Sequence, residues 1–174
     1  RTRLRAMTNA FNARFVSNFT PDRLYRVTVE RGEIYFIKVG GQGGLSLGVT
    51  SQFGILGVFI QRLLDRRREE KLAARVDGVD RMHPSSQLSA HKHNLHAAAT
   101  SIETSSLEPP AKIPGHGPHV GRWKLKLRDG KPMLFQLETF DEMRTAHELL
   151  PTLGTSHRTN VVYDANKMKF VPGP

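Results

Sequence analysis

Cysteine is absent from the 174 residues of the chain, and this absence excludes several kinds of chemistry at once. Disulfide bonds, thiolate metal sites and cysteine nucleophiles are all unavailable to the protein. A chain without disulfides fits a reducing compartment, so we expect a cytoplasmic protein, with attachment to the periphery of a membrane as an alternative.

Acidic residues are also scarce, with 16 Asp and Glu against 26 Lys and Arg, and the formal net charge is +10. The basic residues are concentrated in residues 1–38 and in the run Arg66-Arg67-Arg68. Such an excess favours acidic partners: nucleic acid, anionic lipid or an acidic protein. Nucleic acid fits less well than the others, because few aromatic residues are interleaved with the basic ones.

Motifs for nucleotide binding and hydrolysis are missing. The run Gly40 to Gly44 lies between a predicted strand and a predicted helix, where a phosphate loop would lie, but no Gly-Lys-Ser/Thr ends it. No Gly-x-Ser-x-Gly elbow is found, and no pair of carboxylates stands in an apolar setting. We therefore expect no enzyme activity and no cofactor.

Two patterns organise the first forty residues. Leu4, Met7, Phe11 and Phe15 recur at helical spacing, which predicts a helix over 2–17 within a basic N-terminal arm, residues 1–20. Alternating apolar and polar residues over 25–29 and again over 33–39 predict a hairpin that turns at Arg31-Gly32.

A long amphipathic helix is predicted over 53–76, with Gly78 as its stop. Its first half is apolar and its second half is charged, so the candidate interaction residues are Phe53, Leu56, Phe59, Ile60 and Leu63, followed by the basic residues Arg66, Arg67 and Arg68. One interpretation is an interfacial helix that meets anionic lipid. The alternative is a helix that packs on the sheet or on a second copy of the chain, which would make the protein a homo-oligomer.

Three histidines, His91, His93 and His96, form a weak candidate metal site in the polar segment 83–96. Zinc needs such ligands at fixed geometry, but neither cysteine nor a His-Glu-x-x-His pattern accompanies these three. The alternative is a solvated polar segment. Pro84 predicts a short helix to about residue 94, and residues 97–107 are typical of a strand.

The segment 121–153 gives the clearest prediction. Two strands flank an Asp129-Gly130 turn, and Thr139 with Glu142 forms a capping box that begins a helix ending near Pro151 and Gly154. One face of the first strand carries the candidate anion-binding residues Arg122, Lys124, Lys126 and Arg128. Like charges at this spacing repel unless an acidic group meets them, which an anionic ligand or Glu138 on the neighbouring strand could provide. The alternative is a solvated face. Residues 155–174 are expected to be a weakly structured tail with a strand at 161–163.

The order of these elements resembles a bacterial pleckstrin-homology-like (PH-like) domain. The residues that carry the resemblance are the hairpin Leu125-Lys126-Leu127-Arg128-Asp129-Gly130-Lys131, the return strand Phe135-Gln136-Leu137, and Thr139, which leads into the closing helix. His93-Asn94-Leu95-His96 to Ser101-Ile102 resembles the middle strand of the bacterial members. The resemblance spans 24–153, with an insertion at about 40–92.

The resemblance implies an α+β protein: a bent antiparallel sheet or barrel with a C-terminal capping helix, to which this chain adds the inserted amphipathic helix. It also implies a non-catalytic binding or scaffold domain for lipids, peptides or other proteins. Our leading hypothesis is a domain that acts at an anionic membrane surface or on a protein partner. The alternatives are a basic nucleic-acid-binding protein and, third, a histidine-metal-dependent enzyme.

Overall fold

A computed structural model of the chain describes residues 9–17, 20–41, 54–111, 117–154 and 156–173, without the side chains of 54–65. Its strands and α-helices, in chain order, are β1 (Ala10–Val16), β2 (Arg23–Glu30), β3 (Glu33–Gly41), α1 (Gly54–Asp80), β4 (Leu95–Ala98), β5 (Ile102–Glu108), β6 (Gly121–Leu127), β7 (Met133–Leu137), α2 (Phe140–Leu149), β8 (His157–Thr159), β9 (Val161–Asp164) and β10 (Lys169–Pro172). Short 3₁₀-helices cover Pro84–Ala90, Ala99–Ser101 and Leu150–Leu153.

Eight of the strands form one sheet in the order β4-β3-β2-β1-β7-β6-β5-β8, and β9 pairs with β10 in a separate hairpin. All neighbours in the large sheet are antiparallel except β5 and β8, which are parallel. The predicted class, an α+β protein with a large antiparallel sheet, is therefore confirmed.

The sheet is strongly bent. The chain ends β4 at Ala98 and begins β5 at Ile102, a step that spans at most about 14 Å when fully extended. These two strands are six steps apart in the sheet order, which would be about 29 Å in a flat sheet. The sheet must therefore curl so that its two ends approach each other.

Even so, the sheet is not closed into a barrel. β4 and β8 are its two edges, and within the described residues no ladder joins them. The short parallel strand β8 occupies the outer edge of β5. The backbone groups that would close the sheet are therefore already hydrogen-bonded to the chain's own C-terminal segment.

Aromatic rings fill the concave face of the bent sheet. Phe36 on β3 stacks on Trp123 on β6 with ring centroids 5.7 Å apart, although four steps separate these strands in the sheet order. Trp123 also stacks on Phe135, its direct partner on β7, at 5.0 Å. The rings of Phe36, Trp123 and Phe135 are almost completely buried, so burial of apolar surface on this face is the main force holding the bend.

The helix predicted over 2–17 is wrong for its described part, because residues 10–16 form β1 in the middle of the sheet. Phe11 and Ala13 are buried at strand spacing, and β1 pairs with β2 on one side and β7 on the other. Helical spacing was misleading because Phe11 and Phe15 are also compatible with a period of two.

The hairpins and the capping box are as predicted. The end of the long helix, the strand predicted over 97–107 and the predicted C-terminal tail differ from the prediction. Thr139 Oγ1 accepts from the backbone of Glu142, whose carboxylate accepts in return from the Thr139 backbone. The helix α1 continues through Gly78 to residue 80. The strand predicted over 97–107 is divided into β4 and β5, and the predicted tail contains β8, β9 and β10.

The helix α2 packs over the inner face with Met143 and Ala146, which are fully buried. Met143 lies directly against Gly121, where an added β-carbon would come within 2.3 Å of its sulfur. Gly121 is thus required for close approach of helix and strand.

Candidate functional site

The apolar candidates of the long helix lie outside the described side chains. Phe53 lies outside the described residues, and Leu56, Phe59, Ile60 and Leu63 belong to the part of α1 whose backbone alone is described. Within the described residues, no helix combines the length and the apolar content needed to cross a bilayer.

The second half of α1 begins with the three candidate arginines. All three are exposed: Arg66, Arg67 and Arg68. Arg66 forms an ion pair with Glu70, one turn later, at 3.2 Å. Every residue from 66 to 71 is exposed, so the helix stands away from the sheet there.

Contact with the sheet begins near Leu72, whose side chain approaches Gly40, and continues at Arg75, which donates to the backbone carbonyl of Val39 at 3.2 Å. At the end of the helix, Asp80 accepts two hydrogen bonds from Arg26, at 2.9 and 2.7 Å. From residue 80 back to 72 the helix therefore runs along β2 and β3 toward Gly40.

The remaining segment, 54–71, is about 27 Å long at the rise of an α-helix. Because Leu72 already lies near the last residues of β3, a straight continuation of the helix from there leads beyond the end of the sheet at which β2 begins and β3 finishes. The sequence left open whether α1 packs on the sheet or stands away from it. Residues 72–80 contact the sheet, whereas residues 66–71 stand away from it.

The basic face of β6 is neutralised, though not by the residue that we predicted. Glu138 pairs instead with Arg14 of β1. The carboxylates that meet the basic face come from β5: Glu108 approaches Lys124 at 2.9 Å and Arg122 at 3.5 Å, and Glu103 approaches Lys126 at 2.6 Å. The prediction failed because pairing with β5 is a long-range contact that local spacing does not reveal.

The electrostatics of Glu108 fit this arrangement. Burial acts to raise the pKa of Glu108, but hydrogen bonds from Lys124 and Ser106 and the charge of Arg122 outweigh it, so that its pKa lies below the ordinary value. Arg128, the fourth member of the predicted set, is exposed in the turn after β6. The β6 face is therefore largely an internal ion-pair ladder.

The three candidate histidines are not brought together. His91 and His93 have ring centroids 5.2 Å apart, whereas His96 lies on β4, pairs with Glu33 at 2.6 Å and stacks on Tyr35. In the described ranges, no three His, Asp or Glu side chains gather in a way that could hold a metal ion.

His91 and His93 instead belong to a cationic cluster, which we call the basic rim and define as Arg23, Lys38, His91, Lys92 and His93. Arg23 begins β2 and Lys38 lies near the end of β3, where it is the register partner of Tyr25. The guanidinium of Arg23 lies over the Phe15 ring, with its carbon 5.9 Å from the ring centroid.

The other three members lie on the loop after the 3₁₀-helix Pro84–Ala90, and two amides hold this loop against β3. Asn94 accepts from the backbone N–H of Lys38 at 2.8 Å and donates to the carbonyl of Gln87 at 2.7 Å. Gln87 is buried and donates to the carbonyl of Val79 at the end of α1. The loop is therefore fixed to both the sheet and the helix.

Electrostatics confirm that these five side chains share one region. Partial burial, followed by the positive charges of Arg23, Lys38 and Lys92 and the neighbouring His91, lowers the pKa of His93. In the sequence, no charged residue occurs between Lys38 and Arg62. A region where several cations repel one another is stabilised when an anion binds among them.

The basic rim lies at the end of the sheet that is remote from α2. Arg23 is opposite Phe15 near the end of β1, whereas α2 faces the beginning of β1 across a groove lined by Asn9 to Asn12. It is also the end beyond which α1 projects. Nothing in local sequence spacing predicts the basic rim, because its members come from residues 23, 38 and 91–93.

The buried hydroxyl of Ser105 has a structural role in the core. Ser105 is almost fully buried; its hydroxyl accepts from the Trp123 indole at 2.9 Å and shares a hydrogen bond with His157 Nδ1 at 2.7 Å. Although a serine and a histidine are in contact, the hydroxyl is closed off from any substrate. The chain of bonds satisfies the buried indole N–H.

Comparison of the chain with protein-family models, with curated proteins and with solved structures finds no match. The basic rim and the projecting helix therefore have to be interpreted from their own chemistry.

Proposed function

We propose that the protein is a non-enzymatic, PH-like binding domain that holds the phosphate of an anionic membrane lipid at the basic rim. One observation carries the proposal: the basic rim and the projecting part of α1 lie at the same end of the sheet. The rim offers guanidinium, ammonium and imidazole donors, which are the groups that bind phosphate.

The fold supports the PH-like part of the proposal in general terms. The sheet is strongly bent and mostly antiparallel. Its hairpin β6–β7 is followed along the chain by α2, which packs over the core. A fold alone does not identify a ligand, so the lipid is argued from the rim and the helix.

The helix supplies the second element of membrane contact. The sequence of its first half is apolar and is followed at once by Arg66, Arg67 and Arg68. An apolar segment next to a basic run is typical of helices that lie at the interface of anionic bilayers. Two weak contacts, one electrostatic and one apolar, together give stable attachment where either alone is marginal.

The test is co-sedimentation with phosphatidylcholine vesicles containing about 30% phosphatidylglycerol at low salt, where surface charges are least screened. The test variant is Arg23→Gln with Lys38→Gln. Each cation near an anionic surface contributes about 1 kcal/mol, so we expect a loss of affinity of roughly 30-fold.

The matched control is Arg158→Gln with Lys169→Gln, which removes one arginine and one lysine from exposed positions of β8 and β10. We expect this control to bind within about threefold of the unchanged protein, because neither residue belongs to the rim. Equal losses in both variants would show that net charge alone drives binding and would contradict a defined site.

The alternatives give different results in the same experiment. A protein that ignores these vesicles but binds single-stranded oligonucleotides, with affinity falling steeply as salt rises, would be a nucleic-acid-binding protein. A concentration-dependent dimer by light scattering would favour pairing between copies of α1.

A further inference from the structure

The two histidines of the basic rim are coupled to each other. The backbone N–H of His93 donates to Nδ1 of His91 at 3.1 Å, and the two rings lie 5.2 Å apart. Because Nδ1 of His91 is an acceptor, the neutral His91 ring carries its proton on Nε2.

The charged groups that face the pair come from three elements and have the same sign. Arg23 comes from β2, Lys38 from β3, and Lys92 from the loop itself. The 3₁₀-helix Pro84–Ala90, which precedes the loop, contains no titratable residue. The negative charge of Asp22, the residue before Arg23, contributes to the raised pKa of Arg14.

The same cations that would attract a phosphate therefore oppose protonation of His93, in agreement with its lowered pKa. An anion placed among them reverses the local field and favours the charged imidazole. Coupling between two bound species is reciprocal, so a proton on the ring must also strengthen the binding of the anion.

We infer that an anion at the basic rim is held together with a proton on the His93 ring, which lies against His91, so that binding strengthens as the pH falls. The inference rests on the proposed function and adds to it a form of regulation: the domain would detach from an anionic surface as its surroundings become alkaline. His93 is then the residue that converts a change of pH into a change of affinity.

The experiment measures binding to the same phosphatidylglycerol vesicles at pH 8 and at pH 6. Phosphatidylglycerol is suitable because its phosphodiester does not titrate in this range. A shift of one pKa unit corresponds to a factor of about ten only where the pH lies below the lowered pKa of free His93, so we expect affinity roughly three- to tenfold higher at pH 6 than at pH 8. His93→Gln keeps a polar side chain that cannot be protonated, and its affinities at the two pH values should agree within about twofold.

His83→Gln is the matched control. His83 is an exposed histidine that approaches Glu30, outside the basic rim, and its replacement should leave the pH dependence of binding unchanged. The second readout is the NMR titration of the His93 ring with and without inorganic sulfate, which keeps its charge throughout. We expect sulfate to move the midpoint upward.

The outcomes separate the two proposals. Vesicle binding that is equally strong at pH 6 and pH 8 would overturn the proton coupling and leave the lipid site intact. A pH dependence that persists in His93→Gln would also overturn it. Absence of vesicle binding at both pH values would overturn the proposed function itself, whatever the ring titration shows.

Discussion

The ion pair between Arg26 and Asp80 attaches α1 to the sheet, and its two halves should respond differently to mutation. The Arg26 side chain is 11% exposed, whereas that of Asp80 is 38% exposed. Replacing Asp80 by Ala leaves a buried guanidinium whose remaining partner, among the residues that the structure describes, is the Asn12 side-chain oxygen at 3.3 Å. Replacing Arg26 by Met leaves a carboxylate that water can reach, and fills the space with apolar atoms.

The magnitudes follow from this asymmetry. A buried charge that loses its partner costs about 3 kcal/mol. Removing a negative charge from the C-terminus of a helix returns about 0.5 kcal/mol, so we expect Asp80→Ala to destabilise the protein by about 2.5 kcal/mol. Arg26→Met should cost about 1 kcal/mol, because the exposed carboxylate becomes hydrated and the methionine packs in the same space.

Urea unfolding of both variants provides the assay. With a slope of about 2 kcal/mol per M, the two midpoints should differ by roughly 0.75 M, with Asp80→Ala the lower. The double variant should be no less stable than Asp80→Ala alone, because it no longer contains the unpaired charge. If Arg26→Met is as destabilising as Asp80→Ala, the assumption that burial of the guanidinium dominates this contact is wrong.

Three further changes test other contacts. Gly121→Ala should destabilise the protein by about 1–3 kcal/mol in thermal unfolding, because its β-carbon overlaps Met143, and the double variant with Met143→Ala should lose less stability than the sum of the two single changes. Burial, and then the charge of a neighbouring histidine, lowers the pKa of His157 to about 4. The unfolded chain therefore takes up the proton first, so stability is complete above pH 6.5 and should fall by about 1–2 kcal/mol toward pH 4, allowing for partial exposure. His157→Gln should remove this dependence in acid-unfolding curves, and a wild-type curve that is flat over this window would disprove it. Asn94→Ala should release the loop that carries Lys92, seen as faster hydrogen exchange over 91–94 and weaker vesicle binding at unchanged global stability; unaltered exchange would contradict its anchoring role.

Local patterns predicted the elements whose signals lie within a few residues. The Arg31-Gly32 turn, the β6–β7 hairpin and the Thr139 capping box are as predicted, because turn chemistry and capping depend on neighbours in the chain. The same reasoning failed for β1, whose apolar spacing fits two periods, and whose strand conformation is decided by partners far away in sequence.

The candidate site shows the same division. The sequence indicated a basic protein and drew attention to the residues of the Arg122 to Arg128 face, but only pairing with β5 revealed that Glu103 and Glu108 form ion pairs with three of them. It also singled out His91 and His93 as metal ligands, whereas the structure groups them with Arg23 and Lys38.

The sequence by itself therefore determined the charge of the protein, the absence of cysteine chemistry, the hairpins β2–β3 and β6–β7, and the change from apolar to charged residues along the long helix. These properties depend on composition or on contacts between near neighbours. The tertiary structure alone decided the bend of the sheet, the placement of β1, the end from which α1 projects and the assembly of the basic rim. Each of these depends on backbone hydrogen bonds and apolar contacts between residues that are distant along the chain, and no local pattern encodes which strands will meet.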